Sequence, residues 1–126
     1  MNIKCEISLG ELVDKISILK IKLQKITDTE KLVYVIKEEN TLSETLTSLK
    51  LDNINHHLNQ MIEVNSKLWV IEDDIRDLER DKNFGEDFIR LARAVYVTND
   101  ERFSRKNNIN TTYKSGLVEV KSYQDY

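Results

Sequence analysis

The sequence predicts an all-α fold of four or five helices, one long and central, with a small two-stranded β element built from the two chain ends. Three observations lead there. The 126 residues include no proline and only three glycines, too few turn residues for a sandwich or barrel. Apolar residues recur at helical spacing along most of the chain. Capping boxes, a Ser or Thr with Glu three residues on, stand at Ser8 and Glu11, Thr27 and Glu30, and Thr98 and Glu101.

Ile3, Cys5 and Ile7 alternate with Lys4 and Glu6, the pattern of a half-buried strand. From Ser8 a first helix runs to about Ile26, with Leu12, Ile16, Leu19 and Leu23 on one stripe. Val13, Ile18 and Ile21 widen that stripe, so this helix is covered on more than one side. A second helix spans roughly Thr29 to Ser48, close enough in sequence to be a neighbour of the first. Asp52 or Asn53 caps a third, which meets no breaker before Arg80 or Asp81. Its stripe is Ile54, Leu58, Met61, Leu68 and Ile75, with Asn65 standing where an apolar residue belongs. A polar residue on such a seam fixes register at some cost in stability, or sits at a wet edge. Helix four holds Phe88, Leu91, Ala92, Val95 and Tyr96. The box at Thr98 predicts a bend there and a shorter fifth helix to about Asn108. Leu117 to Lys121 reads as a second strand, free to pair with residues 3–7.

Helix three sets the predicted shape. About 28 residues give roughly 42 Å, longer than the roughly 35 Å diameter of a compact domain of this size. The single domain, residues 1–126, is therefore elongated or covered in part by a second copy. The surplus apolar surface of helix one points the same way, to a homodimer.

Composition excludes several classes. The formal net charge of −3 argues against a dedicated nucleic-acid binder. One cysteine, Cys5, allows no internal disulfide, and no apolar run is long enough to cross a membrane. The expected setting is cytoplasmic. His56 and His57 are adjacent, so they diverge on a helix and read as solvated rather than zinc-binding. No phosphate loop, nucleophile elbow or dinucleotide fingerprint occurs, and no cofactor is implied. Asp73 and Asp77 lie one turn apart, a spacing that can hold magnesium, but within the run from Glu72 to Asp81 they read as a salt-bridged, solvated face.

The arginines are unevenly placed. Residues 1–75 contain none; all six, Arg76, Arg80, Arg90, Arg93, Arg102 and Arg105, fall within thirty residues. A planar, bidentate donor suits ion pairs with the acidic run, or a carboxylate or phosphate ligand. With a bend at Thr98, Arg93, Tyr96, Asn99 and Asp100 share one edge of a helix end, Arg102 follows at a new helix start, and Arg76 can face them from helix three. These six residues form the candidate ligand site.

The segments Ser8–Leu19, Leu68–Asp73, Phe88–Asp100 and Val120–Tyr123 together resemble a family of short uncharacterised helical proteins of bacteria and their phages. The resemblance covers nearly the whole chain and implies one domain. It implies no catalytic residues, because the family carries no established activity. Two functions follow from the residues. One is a non-catalytic helical interaction or assembly module acting as a homodimer. The other is a small anion-binding domain or enzyme that uses the arginine cluster for a phosphorylated sugar, nucleotide or carboxylate.

Overall fold

A computed structural model describes all 126 residues, and its elements are four helices: α1 (Leu9–Lys25), α2 (Thr29–Ser48), α3 (Ile54–Arg80) and α4 (Glu86–Thr112). Ser8 caps α1 as its motif predicts, its Oγ accepting from the Glu11 amide at 3.2 Å. α2 starts differently. Asp28, not Thr27, is its cap, accepting from the Glu30 and Lys31 amides. A carboxylate is a strong acceptor beside the positive end of a helix.

α1 is the hub. It packs against α2, α3 and α4, whereas α2 packs on α1 alone and α4 also lies along α3. The chain runs up, down, up and down. The central core joins Leu12, Val13 and Ile16 of α1 to Leu46 of α2, Leu58, Met61 and Val64 of α3, and Ile109 of α4. Gly10 allows the closest approach of α1 to α4. A Cβ there would stand 2.8 Å from the Lys106 carbonyl oxygen.

The lengths of the helices are unequal. Ser17 lies opposite Asn65, so α1 runs out near residue 73 of α3. The last turns of α3 and the first of α4 project beyond it as a two-helix tip about 10 Å long. The accessible surface is 9196 Å², against roughly 7,000 Å² for a compact monomer of 14.8 kDa. Part of that excess belongs to the largely exposed chain ends, residues 1–7 and 117–126, and part to the projecting tip.

Three expectations need correction. No strand forms at residues 3–7 or 117–121. A lone two-stranded ribbon is marginal, and the second segment is drawn onto α4 by the Glu119–Lys106 ion pair at 2.7 Å. Nor does the chain bend at Thr98. That residue is buried within one continuous 27-residue helix. A capping box is a local signal, and here burial of a whole face along α1 and α3 outweighs it. His57 is buried rather than solvated, with its ring edge-on to Tyr113.

Lysines occupy positions where glycine is usual. Lys82 and Lys114, just past the ends of α3 and α4, have φ of 55°. In each case the next amide closes back on the last turn, Asn83 to Leu78 at 2.9 Å and Ser115 to Asn110 at 2.8 Å. The turn geometry is kept at the cost of left-handed strain.

Candidate functional site

Two polar stripes meet where α1 crosses α4. α1 presents Gly10, Asp14 and Ser17 on one face, and α4 presents Arg102, Lys106 and Asn110 at intervals of four. Asp14 is 2% exposed. Its carboxylate accepts from Arg102 Nε at 3.0 Å and Nη2 at 2.6 Å, and from Asn65 Nδ2 at 2.9 Å. The same Asn65 amide donates to Ser17 Oγ at 2.7 Å, and the Ser17 hydroxyl donates to the Asp14 carbonyl at 2.6 Å. One buried network thus ties three helices together. The hydrogen bond to Asp14 holds the Arg102 guanidinium above its ordinary pKa, with burial opposing it.

One turn further along α4, Lys106 Nζ reaches Glu11 at 2.9 Å and Glu119 at 2.7 Å. Burial works against its charge, but the bonds to Glu119 and Glu11 outweigh it and raise the Lys106 pKa. Burial likewise opposes the charge on Glu119, and the bonds from Lys106 and Lys121 win, holding that carboxyl below its usual range. One turn on again, Asn110 Oδ1 accepts from the Gly10 amide at 2.7 Å.

A cleft of about 280 Å³ opens beside this network. Asn65 and Arg102 line it together with Ile18 and Ile21 from α1 and Leu68 and Trp69 from α3. Glu72, Asp73 and Arg76 complete its lining. Arg102 is 27% exposed at its side chain. Two of its five N–H groups are used by Asp14, so three have no protein acceptor. Arg76 is bound to its own helix, to the Glu72 carbonyl at 2.9 Å and to the Glu72 carboxylate. No group of three His, Cys, Asp or Glu side chains is arranged to hold a metal ion.

The model of one protein family matches residues 3–126. The chain belongs to DUF6165, a family of unknown function. No curated protein and no solved structure matches it. The DUF6165 chain has no helix long and apolar enough to cross a membrane.

The six residues singled out from the sequence lie in three places. Arg76 and Arg102 line the cleft. Tyr96, Asn99 and Asp100 line a second cavity of about 450 Å³ between α4 and the C-terminal segment, closed by Lys121, Tyr123 and Tyr126. The Tyr126 hydroxyl donates to Asp100 there, and its ring meets Tyr96 edge-on. Arg93 lies on an open groove of α4 between Ile89 and Val97. The continuous helix explains the separation. Arg93 and Arg102 are nine residues apart, which places them about 180° apart around α4.

Asp14, Ser17 and Lys106 were not identified as site residues from the sequence. Their signal was present as the small and polar face of α1 at 10, 14 and 17, facing the polar stripe of α4 at 102, 106 and 110.

Proposed function

We propose that the chain is a non-catalytic helical interaction module that works as a homodimer, joined across the outer face of the α3–α4 hairpin. The observation that carries this is an exposed apolar patch on that hairpin, built around Arg93. A standard interface takes about 800 Å² from each partner. On the face of the hairpin turned away from α1, Val70, Ile89 and Val97 are about half exposed.

The arginines support the same reading. Arg76 pairs with Glu72, Arg80 with Asp77, Arg90 with Asp87, Arg102 with Asp14, and Arg105 with Glu63 and Glu101. Five of the six arginines are thus engaged in ion pairs within the chain. Arg93 alone has no acid partner, and it stands on the outer face between Ile89 and Val97. In a two-fold interface the same patch meets itself, so Arg93 of each protomer finds acceptors on the other. We infer a cytoplasmic setting, since the one cysteine is exposed and no disulfide supports the fold.

Val97→Glu tests the interface. It places a charge on the outer face at a half-exposed position that is not part of the buried core. Light scattering should give the mass of one chain for this variant and of two for the parent, with unchanged helicity. Val33→Glu, on the exposed face of α2, should stay dimeric. Equal masses for parent and Val97→Glu would reject the interface.

A second reading is that the cleft beside Arg102 takes a small ligand with an anionic group. The three unused N–H groups of Arg102, fixed by Asp14 and half-sheltered, favour it. A rise in melting temperature with an added carboxylate or phosphate, lost in Arg102→Lys, tests it.

A further inference from the structure

We propose that the cleft between α1 and α3 binds a small zwitterion, its carboxylate seated on Arg102, its ammonium at Asp73, and an apolar chain between them. The proposal rests on the second reading above, that this cleft is a ligand site, and adds the class of ligand.

The carboxylate end follows from the floor of the cleft. Arg102 is held at Nε and Nη2 by a carboxylate that is itself buried, so its remaining donors have a fixed direction. Such a preorganised fork suits a planar acceptor. Asn65 lies beside it, 5% exposed, both amide bonds it donates being spent on Asp14 and Ser17. Its Oδ1 accepts no bond from the protein and is left for a ligand hydroxyl or N–H.

Charge bookkeeping then selects against phosphates. Asp14 neutralises Arg102, and Glu72 neutralises Arg76. Asp73 lines the cleft with no cationic partner. The lining together with Asp14 thus carries a net negative charge, which a dianion would worsen. A single carboxylate needs only the free hydrogen bonds of the floor, and an ammonium would relieve Asp73.

Spacing along α3 sets the two ends apart. Asp73 is eight residues beyond Asn65, about 12 Å along α3. An α-amino acid, with both groups on one carbon, does not bridge that distance. Between the ends stand Ile18, Ile21, Leu68 and Trp69, a wall for a hydrocarbon chain. The volume of about 280 Å³ lies just below the range typical of drug-sized ligands, so the ligand is small.

Trp69 is the only tryptophan of the chain and lines the cleft, so its fluorescence reports occupancy directly. The probes are octanoate carrying an amine on its terminal carbon, octanoate itself, octylamine and inorganic phosphate. The zwitterion should shift the Trp69 emission saturably, octanoate should bind roughly threefold more weakly, as one exposed ion pair allows, and phosphate should have no effect. Asp73→Asn should bring the zwitterion to the affinity of octanoate with helicity unchanged. Arg102→Lys should abolish binding of both, and the exposed position of Asp73 keeps the test decisive if Arg102→Lys does not fold. Equal affinity for octanoate and the zwitterion would overturn the ammonium subsite. A response to phosphate but not to carboxylates would overturn the ligand class and leave the cleft a site. No response to any probe at millimolar concentration would reject both.

Discussion

Asp14→Ala is the sharpest perturbation of the buried network. The change deletes one side chain and three accepted hydrogen bonds, two from Arg102 and one from Asn65. Breaking a fully buried ion pair by removing one partner costs about 3–5 kcal/mol, because the other charge is left without compensation. Arg102 keeps 27% of its side chain in water, so hydration recovers part of the loss. Asn65 has no such recourse, but it retains Ser17. The lower end of the range, about 3 kcal/mol, is expected. A domain of this size has roughly 6–15 kcal/mol in all, so the variant still folds. Its melting temperature should fall by roughly 10–15 °C. Urea denaturation followed by circular dichroism measures the loss. Combining Asp14→Leu with Arg102→Leu should restore most of the stability, since apolar side chains tolerate the site better than a lone charge. A cost below about 1 kcal/mol for Asp14→Ala, or a double variant as unstable as the single one, would refute the argument.

Gly10→Ala should destabilise by about 1–3 kcal/mol, the reverse of its usual effect in a helix, because the new Cβ meets the Lys106 carbonyl at 2.8 Å and Asn110 Oδ1 at 2.9 Å; thermal unfolding gives the sign. Lys82→Gly should raise stability by about 0.5–1 kcal/mol by removing a side chain from a left-handed position, read as a higher urea midpoint. Below neutral pH the profile should have two steps. Burial, aided by His56, holds His57 below its usual 6.5, so the unfolded chain takes up a proton that the folded chain resists, and stability falls as pH drops below about 6.5. His57→Leu should remove that step. The lower step comes from carboxyls held below 4.5: Glu39, bound by Ser43 and Lys20, and Glu119, where burial is outweighed by Lys106 and Lys121. Their contribution is present above about 4.5 and is lost as pH falls through their depressed values.

The parts of the fold that follow from local periodicity were legible. The bounds of α2, the Ser8 cap of α1 and the length of α3 can be read from neighbouring residues. What depends on contacts across the chain was not. Thr98 and Glu101 satisfy a helix-start pattern, yet they lie within α4 because the face they share is needed against α1 and α3. Asn65 announced itself as a polar residue on an apolar stripe, but its partners Asp14 and Ser17 are 51 and 48 residues away. The link from Asp14 to Arg102 spans 88 residues, and nothing local in either segment pairs them. The arginine bias was visible at once, but its interpretation depended on the assumed bend. Once α4 is continuous, the proposed edge divides into the cleft, the cavity under the C-terminal segment and the outer face around Arg93.

The homodimer is tested most directly by small-angle X-ray scattering of the native chain at low micromolar concentration, where forward scattering gives the mass without any substitution. The account predicts twice 14.8 kDa, with a maximum dimension set by two α3–α4 hairpins packed face to face. The mass of a single chain under those conditions would contradict it and leave the outer face of α3 and α4 without a partner.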